Sequence, residues 1–491
     1  MASPSLKAIV LAAACAAAGC ASSPAPLVPE RHADTSSYRE ARERLVRVER
    51  ARRLGAALVL SADEEAADRR LRDLREAELE RVGSYFPPAH SYLLDRTKRA
   101  IEQSPVLRVM KRLPKGAVLH VHGSAGGDLR WLVESATRRP DCFVFVGAEG
   151  PIVRGTLRLF KGPPEDGWRP VAALRNAAPD PAAFDEDLYR SITLGEEDHE
   201  APDLWPEFSN CFRRAFGLFD DAEVRAEHWR RMLADFVDHN VQRVEFRGWP
   251  VDDAVLREAR RRDPDFTVGF IPAAGRSNDP GKMRGALERA LAERERDPGG
   301  VAGFDLVEEE DRTHPTLSFV PEILAARGEA ERGGLSLPLF LHSGETRRRE
   351  SGNLYDAVLL GARRIGHGLA LVRHPLLMEI ARERGVAIEA CPISNQVLGY
   401  VPDLRTHPAI AYINAGIPVV LAPDDPGVMR HTISHDFYEA FMAWELDLRD
   451  LKQLALSSLH HSTLGAEERR HAVAVWEGRW EEFVRWLNED G

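Results

Sequence analysis

Two histidines one residue apart, His120-Val121-His122, end a short apolar run. In a strand, residues two apart lie on one side, so both imidazoles face the same way. A second apolar run, Leu339-Phe340-Leu341, ends on His342, and Glu345 follows past Gly344, a residue that lets the backbone turn. Two further runs end on His367 and on Asp424-Asp425. Imidazoles and a carboxylate within reach of one another make a zinc or iron ligand set. A loop carboxylate beside such a set, as Glu345 would be, is a proton carrier. Singly, each feature is ordinary. A lone strand-end histidine is usually a satisfied polar residue, and Asp424-Asp425-Pro426 also reads as a helix cap and turn. The joint occurrence at four strand ends carries the chemical reading.

Something must bring those ends together. Apolar runs at 117–122, 241–247, 266–272, 301–306, 339–342, 364–367, 387–391 and 419–424 are each followed by helix-like sequence. Eight alternating units predict an α/β fold, a (β/α)8 TIM barrel, whose active site lies where the C-terminal strand ends converge. A doubly wound sheet is the alternative on periodicity alone. The barrel region is 113–491, with an insertion at about 139–194 that is broken by Gly and Pro. Trp205, Phe208, Phe212 and Phe216 recur at helical spacing. That stripe reads as core, with Trp205 able to reach a pocket. Residues 36–112 form an N-terminal helical region in which Ser61 and Glu64 fit a capping box.

The 491 residues carry a formal net charge of −11, which argues against nucleic acid as the main partner. There is no run of 18 or more apolar residues, hence no conventional membrane span. Residues 1–20 read as a secretory signal: Lys7, an apolar stretch, then Gly19-Cys20. Ala17-Ala18-Gly19-Cys20 resembles a bacterial lipobox, which implies lipidation of Cys20. Ala21 in place of Asp implies the periplasmic side of the outer membrane. An ordinary cleaved signal is the alternative. Residues 21–35 read as a tether. Cys142, Cys211 and Cys391 make no disulfide framework, and no CxxC pair offers a zinc knuckle. The zincin spacing, the GxSxG elbow, the P-loop and GxGxxG are all missing from the sequence. Residues 301–311 contain no lysine, which favours one metal ion over two.

From about Tyr38 onward the chain resembles the adenosine deaminases, and within them the secreted growth-factor-related branch. The residues that carry the likeness are Met110 to Gly116 leading into His120-Val121-His122, Val244-Glu245-Phe246-Arg247, Gly303 to Val307, His342-Ser343-Gly344-Glu345, Arg364 to Gly368, Glu389 to Asn395, and Asp424-Asp425-Pro426. The resemblance implies one Zn²⁺ held by His120, His122, His342 and Asp424. It further implies that His367 accepts the proton of an attacking water, that Glu345 donates to purine N1, and that Asp425 holds N7. Glu389, Ser394 and Asn395 would support the ligands. It also implies hydrolytic deamination of adenosine or 2′-deoxyadenosine in extracytoplasmic nucleoside salvage, and a homodimer built through the N-terminal helices. Two positions depart from the family. Gly123-Ser124 stand where Leu-Asp is usual, so Ser124 replaces an acid that binds ribose. Glu308 stands where Gly is usual, and its acid is expected to crowd the base or contact the sugar. Those departures keep other readings open: another aminated purine on the same fold, or a nucleoside-binding lipoprotein without turnover.

Overall fold

The computed structural model describes residues 34–145 and 154–489, with Val28, Arg31 and His32. The signal segment with Cys20 and most of the tether lie outside the described residues. The chain divides into two compact units, Met1–Arg52 and Arg53–Gly491. In the first, the helix Thr35–Arg52 buries none of its residues, and Tyr38, Leu45 and Val48 are exposed. Among the described residues no helix is long and apolar enough to cross a membrane.

The second unit opens with the helix Ala62–Val82. Its first turn closes as a capping box: Glu64 N–H donates to Ser61 Oγ (3.2 Å) and Ser61 N–H to Glu64 Oε2 (2.8 Å). The next helical stretch is split into Asp95–Glu102 and Pro105–Arg112. Pro105 forces the split, because it pushes Ser104 out of the helical region. Ser104 then caps the second helix through Val106 N–H (3.0 Å).

Among the described residues twelve strands follow: β1 Gly116–Val118, β2 Cys142–Phe145, β3 Thr156–Leu159, β4 Trp168–Pro170, β5 Val241–Arg247, β6 Thr267–Ile271, β7 Ala273–Gly275, β8 Asp305–Val307, β9 Phe340–Ser343, β10 Arg364–His367, β11 Ala387–Ala390 and β12 Val419–Leu421. β1, β5 and β6 pair in parallel, as do β7 with β8 and β9 through β12. Pro272 has no N–H for the ladder, so β6 and β7 are one stave interrupted there. Bridges Phe270↔Val301, Phe304↔Leu339 and Val121↔Asp424 join the pieces and close the ring. The result is the expected (β/α)8 barrel. β5, β9, β10, β11 and β12 are buried throughout, as parallel strands covered by helices must be.

Between β1 and β5, the Gly/Pro-broken segment forms a small antiparallel sheet, in the order β3-β2-β4. The helices Val171–Ala177 and Pro181–Ser191 follow it. Cys142, Cys211 and Cys391 are free and buried.

Candidate active site

His120 and His122 follow β1, His342 lies in β9, and Asp424 follows β12. Ring closure brings them together, since Val121 pairs with Asp424 and His122 N–H donates to Asp424 O (3.0 Å). The ring centroids of His120 and His342 are 4.5 Å apart, and those of His122 and His342 5.3 Å apart. Asp424 Oδ1 lies 3.2 Å from Nε2 of both His120 and His122. One donor atom from each of the four residues falls within 4.8 Å of the others, a group that could hold a metal ion.

The surroundings fit that use. His120 Nδ1 lies 2.7 Å from Glu389 Oε2, and His342 Nδ1 lies 2.8 Å from Asp305 Oδ2. Each carboxylate accepts a hydrogen bond from Nδ1–H, which turns a bare Nε2 toward the centre. His120 Nε2 and Asp424 Oδ1 are buried without a hydrogen-bond partner. Burial and Arg247 oppose charge on His120, yet Asp424 and Glu389 outweigh them and raise its pKa. At the same centre, burial holds His342 down to about 4 despite Asp305.

Four carboxyl groups fall into two states. Burial pushes Glu389 up, but Arg247 and Arg364 hold it well below the usual carboxylate range. Burial likewise opposes ionisation of Asp424, and the hydrogen bonds of His120 and His122 overcome it. Glu345 has no such partners. Burial, then the charges of Asp424 and Glu310, push its pKa well up, so it keeps its proton. Asp425 is raised in the same way, by burial and by Asp424, and its Oδ1 has no partner.

Glu345 is placed by its loop. Gly344 takes φ 82°, and a Cβ there would stand 3.1 Å from Leu354, so glycine makes the turn. Glu310 accepts the N–H of Gly344 (3.1 Å) and of Glu345 (2.8 Å). His367 Nε2 faces Glu345 Oε1 at 3.7 Å and Asp424 Oδ2 at 4.0 Å. His367 and Asp424 both adopt left-handed backbone, φ 60° and 62°, which non-glycine residues keep only where the surroundings enforce it. Ser394 Oγ donates to Asp424 Oδ2 (2.7 Å), and Asn395 Nδ2 lies 3.1 Å from His367 Nδ1.

The two unusual positions have structural explanations. A Cβ on Gly123 would stand 2.2 Å from the Trp229 ring, so this indole occupies the room a larger side chain would need. Ser124 lies in the turn Gly123–Ala125 directly after His122. Glu308 adopts φ 86°, and its Oε2 accepts Ser277 N–H (2.7 Å) on the neighbouring loop. One oxygen of this exposed acid is thus engaged by the protein. Gly275 allows that approach, since a Cβ there would stand 2.2 Å from Glu308 Oε1. Trp205 Nε1 donates to Tyr400 Oη (2.8 Å). Burial pushes the Tyr400 phenol up.

Sequence reasoning overlooked Asp305, Arg247 and Arg364 as site residues. Arg247 Nε donates to Asp305 Oδ2 (2.9 Å) and Arg247 Nη2 to Glu389 Oε2 (2.8 Å). Arg364 Nη1 pairs with Glu245 Oε2 (2.8 Å). The available signal was a charged residue inside each of several apolar runs. Such residues are buried only when paired.

A closed barrel with this ligand group, a protonated Glu345 and an adjacent imidazole defines a metal-site hydrolase of the amidohydrolase type. The comparisons narrow the class. The family model "Adenosine deaminase" matches residues 250–474, and "Adenosine/AMP deaminase N-terminal" matches residues 19–110. Adenosine deaminase 2 of Sus scrofa is 34% identical over 92% of this chain and 95% of its own length. Adenosine deaminase 2-A of Danio rerio is 34% identical over 90% and 93%. Among solved structures, the adenine deaminase of Arthrobacter aurescens superposes with TM-score 0.56 at 20% identity, covering 76% of this chain and 99% of its own. The Arabidopsis N6-mAMP deaminase gives TM-score 0.55 at 17% identity, with 76% and 99% covered. The two structures share the fold. The chain belongs to the adenosine deaminase family and is a hydrolytic deaminase.

Proposed function

We propose that this enzyme converts adenosine and 2′-deoxyadenosine to inosine and 2′-deoxyinosine with release of ammonia, using one Zn²⁺ held by His120, His122, His342 and Asp424. The observation that carries the reading is geometric: donor atoms of His120, His122, His342 and Asp424 lie within 4.8 Å of one another, with the buried Glu345 carboxyl facing His367 beside them. Likeness to adenosine deaminases along most of the chain supports the choice of substrate. Bound there, zinc supplies Lewis acidity that makes water a nucleophile at neutral pH.

The chain's own groups do the rest. Glu345 donates its proton to purine N1, so that the ring carries no full negative charge as C6 is attacked. Asp425, also protonated, offers N7 a donor. The backbone N–H of Glu308 meets N3, and Ser124 offers a hydroxyl to the sugar. Trp205 and Tyr400 form a wall of the pocket. His367 orients the attacking water from its place beside Glu345 and Asp424. Low exposure of Glu345 and Asp425, each 2%, excludes bulk water from these donors and strengthens them.

Acylation of Cys20 would hold the enzyme on the periplasmic side of the outer membrane. The exposed apolar residues of the helix Thr35–Arg52 support pairing of two copies there. An absorbance panel of adenosine, 2′-deoxyadenosine, adenine and adenosine 5′-phosphate tests the substrate. Turnover of the two nucleosides is expected; turnover of another aminated purine alone would overturn the assignment.

A further inference from the structure

The turn that carries Glu345 is held at two points, and the two holds are joined behind it. Glu310 accepts Gly344 N–H (3.1 Å) and Glu345 N–H (2.8 Å), and its Oε2 also accepts Asn353 Nδ2 (2.6 Å). Asn353 Oδ1 accepts Thr316 N–H at 2.8 Å. A backbone N–H only donates, so the Asn353 amide has one orientation, with its NH₂ on Glu310. Thr316 Oγ1 in turn accepts Arg276 Nη1 (2.9 Å), and Arg276 Nη2 donates to His342 O (2.6 Å). The bonds thus leave β9 at the His342 carbonyl and return just past its end, at the amides of Gly344 and Glu345.

We propose that Glu310 and Asn353 are positioning residues that set the aim of Glu345, by closing a ring of hydrogen bonds that fixes this acid relative to the ligand His342. The inference rests on the deaminase reading above and leaves every proton transfer in it unchanged. A donor to purine N1 works only along the lone pair of that nitrogen, so a shift of the turn by about 1 Å lowers the rate without touching the metal. Glu310 also lies two residues past Glu308, whose N–H meets purine N3 in the proposed reaction. One loop therefore spaces the contacts to two nitrogens of the same ring.

The ring is built to be stiff. Arg276, Thr316, Asn353 and Glu310 are all buried, so solvent does not compete for their hydrogen bonds. Asn353 lies at the start of the helix Gly352–Leu359, and Thr316 opens the turn Thr316–Phe319, so local structure anchors both. Ala370 N–H donates to Gly344 O (2.9 Å), which ties the turn to the segment after β10. Next to Glu310, Asp311 accepts the Thr346 hydroxyl and Arg347 N–H (3.4 Å). Two consecutive acids of one loop thus hold the whole stretch 344–347 of the other.

The test is the kinetics of Glu310→Gln, Glu310→Asp and the double variant Glu310→Gln with Asn353→Asp, in the full-length, metal-loaded protein. In Glu310→Gln the one amide oxygen serves the two donors at the Oε2 position, and the new NH₂ faces Glu345 N–H. The expected result is a fall in kcat of about 10–100-fold with KM and metal content held. Adding Asn353→Asp gives that NH₂ an acceptor, turns the oxygen back to Glu345 N–H and should recover much of kcat. Glu310→Asp keeps the charge but draws the acceptors back by one methylene, and kcat should fall there too. Native kcat in either single variant, or a double variant no better than Glu310→Gln, would overturn the proposal. If a variant does not fold, amide exchange in the unmodified protein decides. The N–H groups of Gly344 and Glu345 should exchange as slowly as those of β9, and fast exchange would overturn the proposal. If no purine is consumed, the functional reading fails while the exchange still reports the hold on the turn.

Discussion

Glu389 Oε2 lies 2.7 Å from His120 Nδ1 and also accepts Arg247 Nη2 at 2.8 Å, so one carboxylate ties a metal-site imidazole to a charge buried in the barrel. Arg364 reaches the other oxygen of Glu389. The pairing makes Glu389 both an orienting group and part of the compensation for two buried guanidiniums, which Asp305 and Glu245 share. Glu389→Gln is expected to weaken metal binding about 10–100-fold in chelator competition. Uncovering those charges should also destabilise the fold by about 3–5 kcal/mol in denaturant melts. Unchanged metal affinity would mean that His120 is oriented by something else.

Gly123 and Trp229 form a size-matched pair. Gly123→Ala should cost about 1–3 kcal/mol, because the new methyl meets the indole. Trp229→Phe shortens the ring and should recover much of that loss in the double variant, a coupling that a double-mutant cycle measures. Additive losses would contradict the packing account.

His228 stores an acid sensitivity. Its Nε2 lies 2.8 Å from Gly123 O, and burial lowers its pKa to about 4. The unfolded chain takes up a proton below pH about 6.5, whereas the folded protein does so only near 4. The contribution of this histidine is therefore complete above 6.5 and is lost as pH falls toward 4. His228→Gln keeps a donor for Gly123 O and removes the titration. Its Tm should fall less steeply between those pH values than that of the native protein.

The sequence carried the barrel clearly, because each stave is an apolar run followed by an amphipathic helix, and Pro272 merely divided one stave. The site was legible for a related reason: His120, His122, His342 and Asp424 all end such runs. Asp305 and Arg247 were harder to read, since nothing local says which opposite charge a strand residue meets across a barrel. The bond from Ser277 N–H to Glu308 was out of reach for a similar reason, since the two lie on different loops.

Cys20 is the basis of the expected anchor. Cys20→Ala in the full-length chain should move the protein from the membrane fraction to the soluble periplasmic fraction on cell fractionation. Retention in the membrane fraction would refute lipidation at this residue as the anchor.

Glu345 is where the account is most exposed. In the proposed reaction its proton goes to the ring, and its carboxyl lies outside the ligand group. Zinc content and ammonia release from adenosine should be measured together for the native protein, Glu345→Gln and His122→Ala. The native protein should hold one zinc and release ammonia. Glu345→Gln should keep the zinc and lose about 10²–10⁴-fold in rate, while His122→Ala should lose the zinc. A Glu345→Gln variant that works at the native rate, or that loses its metal, would contradict the assignment of Glu345 as the proton donor.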